Sequence, residues 1–254
     1  MSKQIDPNIL QNERFPRSNK YDPLWIFDNQ MGPHPLWLAE FLTQSFDLNP
    51  GMRVLDLGCG RGITSVFLAR EFGVQVYAVD LWGGPDEKWQ NAKLHGVENL
   101  ITPVYADARD LPFAQGFFDA IVSVDSYFYF GHEDGYLENI LKFLRPGGKI
   151  GMIVPGYMND IDIPDYMEEY DDGSCAWKTL LWWKNLWEKT GLVTIDTADT
   201  LPDGCALWLR FDKALLAAEN CKNGTDATTN DDIELLGNDN GEYIGFVRLI
   251  ATKK

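Results

Sequence analysis

The sequence predicts an α/β fold, a seven-stranded and mostly parallel sheet with helices on both faces. Three observations predict it. Short runs rich in β-branched and aromatic residues recur seven times: Met52 to Leu57, Val74 to Asp80, Ile101 to Ala106, Phe118 to Val124, Lys149 to Val154, Val193 to Thr197 and Ile244 to Thr252. Helical stripes fall between most of them, as where Leu137, Ile140, Leu141 and Leu144 recur at i, i+3, i+4 and i+7. The first run also breaks into Gly58-Cys59-Gly60-Arg61-Gly62 just before a helical pattern begins. Strands alternating with helices need right-handed crossovers, so they run parallel, and ligands of such sheets bind beyond the carboxyl ends of the strands.

Taken in order, residues 1–48 are expected to form an N-terminal cap and helix ahead of a sheet domain spanning 49–254. Tyr21, Trp25, Phe27, Trp37, Phe41 and Phe46 give the cap apolar surface, Asn29 to Pro35 interrupts it, and a helix is expected from about Leu36. Ile63, Val66 and Phe67 mark the helix after the first strand. Arg145-Pro146-Gly147-Gly148 is expected to stop the helix carrying Leu137 to Leu144 and turn it into the fifth strand, because proline cannot continue a helix and glycine supplies a left-handed cap. An insertion at about 156–190 follows, with Leu180, Trp183 and Trp187 forming another stripe. Asn220 to Asn240, rich in Asn, Asp, Thr and Gly, reads as a mobile loop before the last strand.

Glycines suit positions 58, 60 and 62 because the backbone must bend sharply there and let a ligand approach with no Cβ in the way. A dinucleotide fingerprint starting at Gly58 would need glycine at position 63; Ile63 stands there, and the third glycine is Gly62. Asp56, the Gly58-x-Gly60-x-Gly62 turn and the acidic residue ending the next strand, Asp80, resemble motif I and its partner in class I S-adenosylmethionine-dependent methyltransferases of the small-molecule type. The resemblance covers most of the chain, strongly from about Gly51 to Pro155 and loosely from Leu192 onward. It implies a Rossmann-like sheet with the last strand antiparallel, S-adenosyl-L-methionine as cofactor and S-adenosyl-L-homocysteine as product.

The same resemblance implies a set of contacts. Asp56 and the backbone of Gly58 and Gly60 would hold the methionine end, and Asp80 would accept hydrogen bonds from the ribose hydroxyls. Leu81 and Trp82 would flank the adenine, and Asp107 and Ala108 would meet its edge, with Leu111-Pro112-Phe113 following as in the family. After the fourth strand, Ser123 to His132 would begin the substrate pocket. Asp125, counted with the cofactor-binding residues, is a candidate to orient the substrate or a water, and Tyr127, Tyr129 and His132 are candidates to line the pocket.

A sulfonium leaves as a neutral thioether, so positioning supplies most of the rate, and a base is needed only where the nucleophile must lose a proton. His132, with Tyr127, is the first catalytic candidate and His34 the second; His95 falls in a helix expected at the surface and drops out. Each strand-end aspartate has an ordinary alternative as a helix cap or Asx turn, and Cys59 reads as a small filler of the glycine turn. What favours a site is the meeting of Gly58 to Gly62, Asp80, Asp107 and Asp125 at one edge of the sheet.

Composition narrows the partners. The net charge is −16, from 22 basic and 38 acidic residues, and Tyr157 to Cys175 alone holds seven acidic residues and no basic one. That balance argues against nucleic acid, which needs a lysine and arginine surface. The acidic stretch either faces water or borders the site and favours a cation, possibilities the sequence leaves open. Nine tryptophans supply either core or an aromatic wall suited to a cationic amine. No apolar run reaches the length of a membrane span. Cys59, Cys175, Cys205 and Cys221 form no Cys-x-x-Cys pair and suggest neither a metal site nor a disulfide framework, so a reducing cytoplasm is expected. The expected activity is methyl transfer to a small-molecule acceptor, an amine among the possibilities. A non-catalytic S-adenosylmethionine-binding protein and a nicotinamide-dependent oxidoreductase are the alternatives, and oligomeric state stays open.

Overall fold

The computed structural model describes residues 6–159 and 177–254. Its elements are α1 (Pro23–Asn29), α2 (Pro35–Thr43), β1 (Arg53–Leu57), α3 (Ile63–Phe72), β2 (Gln75–Asp80), α4 (Pro85–Leu94), β3 (Ile101–Tyr105) and β4 (Phe118–Val124), then α5 (Tyr136–Leu141), β5 (Leu144–Tyr157), α6 (Leu180–Glu188), β6 (Val193–Thr200), α7 (Gly204–Asn223), α8 (Asp231–Asp239) and β7 (Ile244–Lys253). The strands form one sheet in the order β3-β2-β1-β4-β5-β7-β6. β1 to β5 pair parallel with their neighbours, and β7 lies antiparallel between β5 and β6. This is the expected seven-stranded, mostly parallel architecture.

Side chains of a strand alternate between faces, and this chain uses the alternation to build two cores. Val54, Val76, Ala78, Ala120, Val122 and Ile153 pack with Trp25, Trp37, Phe67 and Phe211 of α1, α2, α3 and α7. Leu55, Leu57, Val79, Ile121, Met152 and Val154 face the other way, onto Leu137 and Ile140 of α5 and Trp183 and Trp187 of α6. The described N-terminal residues belong to the first core. Glu40 anchors them, its carboxylate accepting from Arg17 N at 3.0 Å, Ser18 N at 2.8 Å and Ser18 Oγ at 2.7 Å. Trp25 Nε1 donates to Asn91 Oδ1 at 2.8 Å and joins α1 to α4.

Two expectations are corrected. The helix expected through Leu144 ends at Leu141, and Leu144 opens β5, paired with Phe118. Arg145 to Gly148 form an irregularity within β5, where the register passes from Phe118↔Leu144 to Ala120↔Lys149 and Gly147 takes φ +72°. Leu144 continued the helical stripe only because the first residue of a buried strand is as apolar as a core helix position. The loop expected over Asn220 to Asn240 contains the end of α7 and all of α8. Asn230 caps α8, accepting from Ile233 N at 2.9 Å, and Ile233, Leu235 and Leu236 are buried. The polar residues that suggested a loop are caps and the solvent face of a short helix. Of the insertion expected at 156–190, residues 160–176 lie outside the described residues, and with them most of the acidic stretch.

Candidate active site

The carboxyl ends of β1, β2, β3 and β4 open into one crevice, lined by residues 57–61, 79–82, 106–109 and 124–126 and crossed by residues 29–33. After Leu57 the chain turns through Gly58 (φ +73°), Gly60 (φ +54°) and Gly62 (φ +87°), a conformation L side chains rarely adopt. Space is as restrictive as φ at Gly58, where a Cβ would stand 2.2 Å from Ser126 Oγ. That hydroxyl donates to Leu57 O at 2.8 Å, clamping the β1 turn to the end of β4.

Asp80, the last residue of β2, ties the turn to the next loop. Its Oδ2 accepts from Gly60 N at 2.8 Å, and its Oδ1 from Trp82 N at 2.5 Å and Gly83 N at 3.3 Å. These three backbone donors leave the carboxylate lone pairs toward the crevice that it lines. Leu81 and Trp82 follow, exposed at 39% and 67%, and Trp82 meets Tyr129 edge to face at 5.1 Å. At the end of β3, Asp107 Oδ1 accepts from Arg109 N at 2.8 Å, and the Arg109 guanidinium reaches Glu133 Oε1 at 2.5 Å.

Asp125 follows the last residue of β4 at φ +54°, one of three non-glycine residues with positive φ among the described residues. Its N–H donates to Ile153 O at 2.8 Å. Its carboxyl lines the crevice and makes no hydrogen bond or ion pair with any described residue, and burial raises its pKa well above the usual carboxylate range. Gly32 lies against it, and a Cβ there would come within 2.2 Å of Asp125 Oδ2. Residues 29–33 are held across the crevice from outside: Asn29 Oδ1 accepts from Asn91 Nδ2 at 2.8 Å, and Arg61 Nη1 donates to Asp28 O at 3.0 Å. Met31 lies over Gly60, its Sδ 2.9 Å from where a Cβ would be.

Thus Gly58, Gly60, Asp80, Leu81, Trp82, Asp107, Ala108 and Asp125 meet in the crevice, whereas Asp56, Tyr127, His132 and His34 are not among its lining residues. The structure places these four elsewhere. Asp56 is fully buried on the α3 side of β1, where Oδ2 accepts from Thr64 Oγ1 and Ser65 Oγ, both at 2.6 Å. Burial raises its pKa to about 6, despite those two hydroxyl donors. It shapes the start of α3 from behind the glycine turn. Tyr127 is fully buried, its ring 5.6 to 5.7 Å from those of Phe130, Trp183 and Trp187. His132 is half-buried, its Nδ1 3.0 Å from Phe128 O. His34 caps α2, Nδ1 accepting from Trp37 N at 3.2 Å, and stacks on the Trp37 ring at 4.1 Å. Burial lowers its pKa to about 3, so it is neutral near pH 7. Cys59 is buried, and burial raises its thiol pKa well above normal, as suits a filler.

Sequence reasoning missed Gly32, Ser126 and Lys88. Lys88 is 1% exposed, its chain against Gly62 and its ammonium donating to Gly83 O, which holds the loop after β2 against the glycine turn. A lysine in a polar helix carries no sequence signal of burial. Ser126 sits next to Asp125, but only the Cβ-free approach of Gly58 reveals its role.

Residues 54–148 match a family model described as a methyltransferase domain. Methyltransferase GfsG of Streptomyces halstedii is 28% identical over 192 residues, 70% of this chain and 67% of that protein. A sarcosine/dimethylglycine N-methyltransferase of Halorhodospira halochloris is 33% identical over 117 residues, 46% of this chain and 42% of that protein, so the chain spans less than half of that relative. A geranyl diphosphate methyltransferase solved in complex with SAM superposes with a TM-score of 0.66 at 19% identity, covering 85% of this chain and 84% of the other, a likeness of fold.

Proposed function

We propose that this chain, a member of the class I S-adenosylmethionine-dependent methyltransferases, transfers a methyl group to a small-molecule acceptor, an amine being the class its N-methyltransferase relative favours. The observation that carries the reading is Asp80, a carboxylate at the end of β2 tied by backbone N–H groups to both the glycine turn and the loop beyond it.

The residues present fit S-adenosylmethionine. Asp80 keeps acceptor capacity for ribose hydroxyls, and Asp107 lines the crevice as an acceptor for an exocyclic amine. Leu81, Trp82, Ala106 and Ala108 offer apolar surface to a flat ring, and the turn at Gly58 and Gly60 exposes bare backbone to an amino-acid group. Ile63, where a dinucleotide fingerprint has glycine, is a buried residue in the first turn of α3. The cofactor, when bound, supplies a methyl on a sulfonium that leaves as a neutral thioether, so the chain's task is to position the acceptor and exclude water. Met31, Pro33, Pro35, Val124 and Phe130 provide the apolar wall for that. In this reading, residues 29–33 and Pro35 of the N-terminal segment cover the acceptor.

No helix among the described residues is long and apolar enough to cross a membrane, and Cys59, Cys205 and Cys221 are free thiols. Both fit an enzyme of a reducing cytoplasm with a small-molecule substrate, and the acidic surface argues against nucleic acid. Calorimetry with S-adenosylhomocysteine and with NAD, followed by a screen of amines for S-adenosylhomocysteine release, tests the proposal. Binding of the thioether and not of the dinucleotide is expected, together with turnover of an amine. Tight NAD binding with none of the thioether would overturn the reading, and cofactor binding without turnover of any acceptor would leave a binding protein instead.

A further inference from the structure

Resting on the reading of the crevice as a methyltransferase site, a second question is what the acceptor can be. Cofactor-facing residues come from β1, β2 and β3. Asp125 and Ser126 follow β4, on the other side of β1 from β2 and β3; Ser126 packs on Gly58, and Asp125 lies against Gly32. We propose that this end of the crevice receives the acceptor's ammonium group on Asp125, and that the acceptor bears no carboxylate or phosphate.

The carboxyl of Asp125 is the first ground. It is half-buried, lines the cavity and has no hydrogen-bond or ionic partner among the described residues. Removing such a group from water without a partner is unfavourable, and burial accordingly holds its pKa high. A cation placed against it would restore the charged form and gain a charge-assisted hydrogen bond. Gly32 presents only backbone beside Oδ2, and Met31, Pro33, Val124 and Phe130 add apolar lining to the same crevice.

The second ground is that, among the described residues, the cations lining the crevice are already paired. Arg61 and Arg109 are its basic lining residues. Arg61 donates to Asp28 O at 3.0 Å and lies 3.8 Å from Glu87, and Arg109 is held by Glu133 at 2.5 Å and Asp107 at 3.5 Å. Lys88 lies beneath the loop, engaged with Gly83 O. An acceptor carboxylate or phosphate would lie desolvated near Asp125 without a counterion. The aromatic faces of Tyr129 and Phe130 instead suit the hydrocarbon body of an amine.

The test uses the full chain saturated with S-adenosylhomocysteine and a matched pair of probes, phenethylamine and phenylalanine, which differ by one carboxylate. Phenethylamine should bind by calorimetry, and phenylalanine at least about ten-fold more weakly, as expected for a charged group left unpaired. Asp125→Asn, measured on protein saturated with S-adenosylhomocysteine, should lose about ten-fold or more in phenethylamine affinity. Asparagine tolerates the left-handed backbone, so this variant keeps the fold. Equal binding of the two probes, undiminished amine binding by Asp125→Asn, or no binding by a panel of amines from dimethylamine to phenethylamine would overturn the inference. Failure of the wild type to bind S-adenosylhomocysteine would instead refute the methyltransferase reading beneath it.

Discussion

Replacing Asp80 with asparagine separates charge from shape at the centre of the proposed cofactor site. The carboxylate accepts three backbone N–H bonds, from Gly60 at 2.8 Å, Trp82 at 2.5 Å and Gly83 at 3.3 Å. An amide has one acceptor oxygen. Turned toward Trp82 and Gly83 it keeps those two bonds and sets its NH2 against the Gly60 N–H, donor against donor. A hydrogen bond to a charged group contributes about 1.5–3 kcal/mol. At about 1.4 kcal/mol per factor of ten, loss of one such bond to a ribose hydroxyl predicts S-adenosylhomocysteine binding weaker by roughly 10- to 150-fold. The fold should survive, because the turn keeps the bonds from Gly58 N and Cys59 N to Val79 O at 2.9 and 3.1 Å and from Gly62 N to Cys59 O at 2.8 Å. The assay is calorimetric titration with S-adenosylhomocysteine beside a thermal melt of the same sample. A folded Asp80→Asn protein with the wild-type dissociation constant would refute the reasoning.

Three further outcomes follow from buried groups. Asp212, buried in α7 with Oδ2 unpartnered among the described residues, has its pKa raised from 3.8 to about 7 by burial and by Asp232. A raised folded-state pKa means stability that is present at low pH and lost as pH rises through about 7. Melting temperature should therefore fall between pH 3.8 and about 7, and Asp212→Asn should flatten that fall; a variant with the wild-type slope contradicts the assignment. Tyr127→Ala should lose about 3–5 kcal/mol of stability by denaturant titration, whereas Tyr127→Phe should turn over normally, and an inactive but folded phenylalanine variant would restore a chemical role to the hydroxyl. His34→Asn should keep the α2 cap and full activity, while His34→Ala costs about 1 kcal/mol through the lost cap; with its pKa lowered to about 3, His34 should leave no inflection in a pH–rate profile between pH 5 and 9, and one that vanishes in His34→Asn would show it to be a base.

All seven strands were legible because each is a compact run of β-branched or aromatic residues bounded by turn residues, and their ends placed Asp80, Asp107 and Asp125 at one edge. Position along a strand does not say which way a side chain leaves a turn. Asp56 lies one residue before the end of β1, so alternation sends it beneath α3. The 3-10 turn Tyr127–Tyr129 carries Tyr127 into the core and Tyr129 to the crevice, although the two differ little in sequence context. Helix α8 was hidden because nine residues with a polar face and three buried apolar ones give too little periodicity to outweigh their loop-like composition. Gly32 against Asp125 and Lys88 beneath Gly83 are long-range packings, and nothing local in the sequence encodes them.

The place of β7 has a bearing on synthesis. It enters the sheet between β5 and β6, pairing from Lys149↔Thr252 to Tyr157↔Ile244 on one side and from Val193↔Lys253 to Thr200↔Val247 on the other. Until residues 244–253 have left the ribosome, β5 has an open edge and β6 has no neighbour, and the positions later covered by Val247, Leu249 and Ile250 remain wet. An unpaired edge of this kind is a template for another chain. Between the synthesis of Tyr157 and that of Lys253 the nascent protein thus has the outer edge of β5 exposed, the stage at which a holdase chaperone would have most to protect.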